Sequence, residues 1–267
     1  MTSLHEQFVA LHQGPSPLLL ANAWDAASAR LWQEAGATAI ATTSAAVAWS
    51  RGYADGGALP PEVLLDSLRD VVRVTSVPVT ADVEDGYGDD PESVALFIAE
   101  VAATGAVGIN LEDGGASPEQ LAAKIRAIRA RLSGTPLFIN ARTDVYLRGL
   151  ATGDAAIAMT IERLRLYSEA GADGGFVPGL ASIEAAAQIA TQVQPLALNV
   201  MAMPSLPPIA ALHEVGVRRI SCGPALFKLA FAVGQEAARA FLDGIPGPMY
   251  KSTLDYDALN GLFTASR

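Results

Sequence analysis

The sequence of 267 residues predicts a single-domain α/β fold, a closed (β/α)8 barrel of the TIM type, on three observations. Short apolar runs recur at regular spacing, and each is followed by a segment with helical periodicity. Eight such pairs fill close to the ~250 residues typical of that barrel. An open, doubly wound sheet would alternate in the same way, but no glycine-rich phosphate fingerprint follows the first strand. The reading divides the chain into a catalytic barrel, residues 1–240, and a C-terminal helical extension, residues 241–267. That extension is rich in Gly and Pro before it turns mildly helical, and it is expected to pack on the barrel or on a neighbouring subunit.

The elements follow in order. The run 17–24 (PLLLANAW) precedes a helix over 26–35 that stops at Gly36. Run 39–44 precedes a helix over 61–74, and run 77–84 precedes one over 91–103 that ends at Gly105. Run 107–112 precedes a helix over 118–132, with Ser117 as N-cap, Pro118 in its first turn and Gly134 beyond its end. Run 137–144 precedes a helix near 154–170 closed by Gly171. Runs 175–177, 196–201 and 219–221 pair with helices over 182–193, over 206–215 and from about Ala225. The last helix carries Phe227, Phe231, Val233 and Phe241, more apolar surface than one barrel requires, and this points to a subunit interface.

Composition excludes several classes. With 28 acidic and 18 basic residues the formal charge is −10, so nothing here would neutralise a nucleic-acid backbone. One cysteine, Cys222, permits neither an intramolecular disulfide nor a thiolate cage, and it reads as a buried small residue. His5 and His12 lie in the N-terminal segment and His213 in a helical pattern, which leaves little material for a Ser-His or Cys-His system or a three-histidine zinc site. The opening MTSLHEQFVALHQ lacks a basic head and apolar core, so no signal peptide is expected. The most apolar window, 35–49, is shorter than the ~20 residues a membrane span needs. A cytoplasmic protein with no membrane partner is expected.

A barrel enzyme builds its site at the C-terminal ends of the strands, and the unusual polar residues fall there. Asp82 and Glu84 close the third run; two apart on a strand, they point into the mouth together. Glu112 closes the fourth run, with Asn110 on the same side. Asn140 and Arg142 close the fifth, Ser44 ends the second, and Asn199 lies in the seventh. Asp55 sits in the long loop after the second run, which can fold back over the mouth. Asp89, Asp90 and Asp113, with Asp85, read as helix caps. Gathering Asp82, Glu84 and Glu112 requires a cation or shared protons, and an oxygen-only set selects a hard ion, Mg²⁺ or Mn²⁺. Arg142 either balances these carboxylates or binds an anionic substrate; with a metal present, substrate binding is favoured. The small run Thr42-Thr43-Ser44-Ala45-Ala46 lets backbone N–H groups approach an anion. Trp24, Trp49 and Tyr87 read as pocket walls or lid, and core packing explains them nearly as well.

These motifs resemble the isocitrate lyase/phosphoenolpyruvate mutase superfamily. The segments TTSAAVA with YADG (42–56), ADVEDGYGD (81–89), INLEDG (109–114), INARTD (139–144), EAGADGGFVPG (169–179), LNVMAMP (198–204) and RRISCGPALF (218–227) occur in that family's order. By this resemblance Asp82 matches the metal-ligating aspartate, Glu84 the second acid of the metal motif, and Glu112 the glutamate that holds a metal-bound water. Asp55 matches the acid near the metal, Arg142 the substrate arginine, Ser44 with Ala45 and Ala46 the carboxylate-binding turn, and Asn199 a polar residue deeper in the site. The chain departs from the family after the fourth strand. Gly114-Gly115-Ala116-Ser117-Pro118 stands in place of the mobile loop whose Lys-x-Cys-Gly motif supplies the lyases' catalytic thiol, and the phosphonate-cleaving version of that loop is missing too.

The resulting expectation is a thiol-independent, Mg²⁺-dependent carbon–carbon lyase or decarboxylase. It would act on a small 2-oxo (di)carboxylic acid through a metal-stabilised enolate. Tyr53, Tyr87 or a metal-bound water would serve as acid–base partner. The alternatives are a phosphonopyruvate-type C–P enzyme (mutase or hydrolase) and a 2-oxo acid binding protein without turnover. Family likeness further implies a homotetramer, a dimer of dimers that exchanges the last barrel helix.

Overall fold

A computed structural model describes residues 2–264. Eight parallel strands close into one barrel in sequence order: β1 (Leu18–Ala23), β2 (Ile40–Thr42), β3 (Val79–Asp82), β4 (Gly108–Glu112), β5 (Phe138–Arg142), β6 (Gly174–Val177), β7 (Ala197–Met201) and β8 (Val217–Ser221). Helix α1 (Leu4–Leu11) precedes β1. Around the barrel follow α2 (Ala26–Glu34), α3 (Ser44–Ser50), α4 (Pro61–Val74), α5 (Pro91–Ala103), α6 (Pro118–Arg131), α7 (Gly153–Ala170), α8 (Ile183–Gln192), α9 (Ile209–Glu214) and α10 (Ala225–Leu242). A 3₁₀ turn (Gly247–Lys251) and α11 (Tyr256–Thr264) end the described chain. Among the described residues, no helix is long and apolar enough to cross a membrane.

The expected barrel is therefore present, and its punctuation follows the sequence signals. Ser117 caps α6 by accepting from the Gln120 N–H. Gly171 ends α7 at φ +109°, in the left-handed region that glycine enters without a Cβ clash. Two helices lie outside the sequence reading. Helix α1 has a capping box, in which Ser3 and Glu6 satisfy each other's backbone N–H groups. Helix α3 opens at Ser44, where an extended strand end was expected.

Three apolar clusters pack the described residues: a small one of Ala23, Ala29, Ile40, Val71 and Val79 among β1, β2, β3, α2 and α4, and two that bear on the site. The larger lies between the strands' outer faces and the helices, and includes Leu64, Leu68, Ile98, Ile109, Leu111, Ile125, Ile139 and Val200. The smaller fills the lower interior of the barrel: Leu18, Leu20, Ala39, Ala41 and Phe138 pack around Phe8, which α1 inserts as a plug. Complete burial of such a ring is worth about 2–3 kcal/mol. His12, the C-cap of α1, stacks on Phe138 with ring centroids 4.3 Å apart, and its Nδ1–H donates to the Phe8 carbonyl at 2.8 Å. Beyond the barrel, α10 leaves Leu229, Phe231, Val233 and Leu242 exposed, and Tyr250 and Tyr256 follow suit.

Burial, with the nearby Arg219 charge, pushes the His12 imidazole down to about 3. The unfolded chain therefore binds a proton at His12 that the folded chain refuses between about pH 6.5 and pH 3. This contribution to stability is complete above about pH 6.5 and shrinks as pH falls toward 3. Urea unfolding of the wild type and His12→Phe should show the variant less stable at pH 7 by about 1 kcal/mol, for the lost hydrogen bond. The gap should close and reverse by pH 4, a swing on the order of 2–4 kcal/mol. Parallel pH curves for the two proteins would remove His12 from this role.

Candidate active site

Strand alternation and register bring the acids to one mouth. Asp82, Glu112 and Arg142 are the last residues of β3, β4 and β5, and Glu112 stands directly beside Arg142 in the β4–β5 pairing. Asp82 is buried and well supplied with donors. The Ser44 backbone N–H and hydroxyl both donate to its Oδ2 at 3.1 Å, and the Glu84 N–H approaches its Oδ1 at 3.4 Å. Ser44 thus does not close a strand as expected; it is the first residue of α3, and Ala45 and Ala46 follow it buried in the first turn.

Glu84 also departs from the sequence reading. It is not on the strand beside Asp82: β3 ends at Asp82, and Glu84 lies in a tight turn with φ +51°. Tyr87 has φ +60° in the same turn. Two non-glycine residues in the left-handed region cost on the order of 1–3 kcal/mol each, so their surroundings must hold them. The Tyr87 hydroxyl donates to Glu84 Oε1 at 3.0 Å, and Lys124 Nζ donates to the Asp85 carbonyl at 2.8 Å. Between them Gly86, at φ +93°, is sterically obligatory, because a Cβ there would stand 2.6 Å from Val94 Cγ1. The turn returns the Glu84 carboxyl to the mouth by a route that period-two alternation does not describe.

Arg142 is held on two sides. Its Nη1 meets Glu112 Oε2 at 2.6 Å, while Nε and Nη2 donate to the two oxygens of Asp144 at 2.7 and 3.1 Å. Of the two roles open to it in the sequence, the structure displays the first, balancing carboxylates. Behind this pair lies a buried hub. Asp113 Oδ1 accepts from the Asp144 N–H at 3.0 Å, and Oδ2 accepts from Arg163 Nη1 and the Tyr167 hydroxyl, both at 2.7 Å. Asp113 is consequently not a helix cap, since Ser117 caps α6. Asp90 does cap α5, but Asp85 and Asp89 bond elsewhere: Asp85 accepts from the Tyr87 N–H and Asp89 from the Gln120 amide. Arg163, Tyr167 and Asp144 went unread in the sequence. Asp144 has the same two-residue spacing from Arg142 that flagged the other pairs, whereas Arg163 and Tyr167 come from the middle of α7 and carry no local signal.

Negative charge exceeds positive charge at this mouth. Burial first, then the neighbouring Asp82 charge, pushes the Asp55 carboxyl above its ordinary range. Burial raises Glu84 as well, against the pull of the Tyr87 hydroxyl. Glu112 is pushed upward by burial and by Asp82, Asp144 and Glu84, with Arg142 pulling the other way. Among the described residues, no three His, Cys, Asp or Glu side chains are arranged so that they could hold one metal ion. The Asp82–Glu84 pair nevertheless suits Mg²⁺, which commonly takes one or two carboxylates and keeps several waters.

The remaining predicted residues are distributed as follows. Asn199 is fully buried, and among the described residues neither atom of its amide has a hydrogen-bond partner. Tyr53 lies exposed in the turn after α3. Trp24 packs edge-on against Trp32 and Phe227, and Trp49 lies 5.6 Å from Phe227, so both indoles belong to an aromatic cluster with α10. Cys222 is half-buried rather than buried, and burial pushes its thiol upward, so it stays protonated.

The hub is a stability element. Replacing the buried Asp113 by Ala strips the partly buried Arg163 of its ion-pair partner and leaves the Asp144 N–H and the Tyr167 hydroxyl without their acceptor, and urea denaturation should show a loss of about 3–5 kcal/mol. A loss below 1 kcal/mol would mean that Arg163 finds water instead.

Comparison with known proteins gives the family. The family model described as phosphoenolpyruvate phosphomutase matches residues 8–242. An uncharacterized protein of Mycobacterium tuberculosis is 37% identical over 242 residues, 89% of each chain. The 2-methylisocitrate lyase of Escherichia coli is 31% identical over 217 residues, 74% of this chain and 71% of the enzyme. The crystal structure of 2,3-dimethylmalate lyase, a PEP mutase/isocitrate lyase superfamily member, superposes with a TM-score of 0.85 at 26% identity, covering 97% of this chain and 94% of that one. With its closed barrel, its acids at the strand ends and a family match over nearly the whole barrel, this chain belongs to the PEP mutase/isocitrate lyase superfamily, whose members are lyases and mutases of small carboxylic acids.

Proposed function

We propose that this protein is a divalent-metal-dependent lyase or decarboxylase that cleaves a C–C bond of a small 2-oxo (di)carboxylic acid through an enolate, without a catalytic thiol. The observation that carries the reading is the surplus of carboxylate at the mouth, where Asp55, Glu84 and Glu112 are all raised by burial around Asp82. An oxygen-only set short of positive charge calls for a hard cation, Mg²⁺ or Mn²⁺. Asp82 with Glu84 would hold it, and Glu112 would reach it only through a bound water. A cation there would polarise the keto oxygen and offset the negative charge that bond cleavage leaves on it.

The chain's own groups account for the rest. The substrate carboxylate would be received by the backbone N–H groups of Ser44, Ala45 and Ala46 and by Arg142, which exchanges Glu112 for substrate while Asp144 keeps its guanidinium oriented. Asn199, with its unpartnered amide, would line the inner end. The Tyr87 hydroxyl is pushed far above its ordinary range by burial and by Glu84, so it remains a proton donor at neutral pH; Asp55, and Tyr53 exposed after α3, would complete the acid–base groups. The protonated Cys222 and the short turn after β4, closed by the Ala116 N–H to the Asp113 carbonyl at 2.8 Å, support a thiol-independent route. The names of relatives agree at the coarser level of small carboxylic acids: 2-methylisocitrate lyase for one, carboxyvinyl-carboxyphosphonate phosphorylmutase for another. C–P chemistry is the second reading; the turn after β4 replaces both the lyases' thiol loop and the loop carried by phosphonate-cleaving members.

We further propose a homo-oligomer, a dimer of dimers in which α10 is exchanged; the exposed Leu229, Phe231, Val233 and Leu242 support it.

Two measurements test these readings. Solvent deuterium should enter C3 of at least one of pyruvate, oxaloacetate and 2-oxoglutarate in a Mg²⁺-dependent way, and calorimetry should show Asp82→Ala losing at least about 100-fold in Mg²⁺ affinity. No exchange and no product with all three acids would sink the lyase reading, and unchanged affinity would sink the ligand assignment. Sedimentation at micromolar concentration should give a tetramer; a monomer would refute the helix exchange.

A further inference from the structure

One charged group of the barrel interior has no part in the chemistry above. Arg219, in the middle of β8, points into the barrel and is 0% exposed. It makes no ion pair among the described residues. Its Nη2 donates to Asn110 Oδ1 at 2.9 Å, while Nε and Nη1 have no hydrogen-bond partner there. Below it lies the plug, with Phe8 5.8 Å from its guanidinium carbon. Beside it on β7 is Asn199, its register partner. The layer around it is polar throughout. Asn110 Oδ1 also accepts from Asn140 Nδ2 at 2.8 Å, and Asn110 is paired in register with Asp82 on β3. Gly174 admits this layer on the β6 side, since a Cβ there would lie 2.6 Å from Asn140 Oδ1.

A fully buried cation with one neutral hydrogen-bond partner is strongly unfavourable by itself. It becomes tolerable if negative charge lies close by: Asp82 is the register partner of Asn110, and Glu112 lies two residues beyond Asn110 on the same face of β4. We propose that Arg219 is a positioning residue: the fixed counter-charge beneath the acids, coupled electrostatically to Asp82 and joined to its strand neighbour Asn110 by a hydrogen bond. The coupling is mutual. Asp82 makes the buried guanidinium admissible, and Arg219 offsets the repulsion among the acids when no cation is bound. The direction of the titration shift agrees: burial drives Arg219 down to about 9, and Asp82 opposes that fall.

This inference builds on Asp82 as the central acid of the proposed site, but its test uses chelator-treated protein, so a failure of the metal reading leaves it standing. Urea unfolding of the wild type, Arg219→Met, Asp82→Asn and the double variant forms a thermodynamic cycle. Coupled charges predict a double variant whose unfolding constant is at least about tenfold smaller than the two single effects multiplied together. Arg219→Lys, which keeps the charge, should be clearly more stable than Arg219→Met. Should Arg219→Met yield no soluble protein, adding Asp82→Asn should restore it. An additive cycle, a lysine variant as damaged as the methionine one, or failure of that rescue would overturn the proposal.

Discussion

Repulsion among carboxylates at the C-terminal end of the barrel is the constraint to which the rest of the site responds. Asp55, Asp82, Glu84, Glu112 and Asp144 share one mouth, where Arg142 is the guanidinium in direct contact with them. In water such a cluster would disperse or take up protons; here the backbone forbids dispersal, because four of the five groups close or directly follow the adjacent strands β3, β4 and β5. Stabilisation comes from several directions. Ser44 supplies two donors from the first turn of α3, Arg142 bridges Glu112 and Asp144, and Tyr87 covers Glu84. Even so, three carboxyls remain above their ordinary range, and this residual charge makes a cation the natural missing component.

The arrangement also explains where strain and buried charge are tolerated. The left-handed Glu84 and Tyr87 would be a liability in a surface loop, but they aim a second carboxyl at the first. Asp113, with Arg163 and Tyr167, forms a second buried charge system that anchors Asp144 from behind, so that Arg142 is oriented by a support outside the mouth. Arg219 lies beneath the same acids with hardly any direct partners. The barrel interior is thus layered by polarity: an apolar plug of Phe8, Leu18 and Phe138, a middle layer of Asn110, Asn140, Asn199 and Arg219, and an acidic rim. Function is concentrated at the end where the strands' alternation and the following loops can both contribute side chains.

Much of this was legible in the chain itself. Strand–helix alternation, glycine stops and the Ser117-Pro118 cap are local signals, so the barrel and its order followed from them without tertiary information. The scarcity of His and Cys, together with acids at the ends of apolar runs, marked Asp82, Glu84, Glu112 and Arg142. Those signals work because burial pattern and capping are decided within a few residues, and because a barrel fixes which end of a strand bears the site.

Tertiary structure decided the rest, and for one reason: the partners come from far along the chain. Whether Arg142 faces substrate or carboxylate depends on Glu112, thirty positions away, and the role of Asp113 depends on Arg163, fifty positions away. The sequence could place Glu84 near Asp82 but took the wrong route, since a positive φ at a glutamate leaves no compositional trace. Arg219 looked like any polar residue in a short strand until closure of the barrel removed it from water. Periodicity can say which way a side chain points; only the assembled barrel says what it meets there, and for charged groups that meeting decides the energetics.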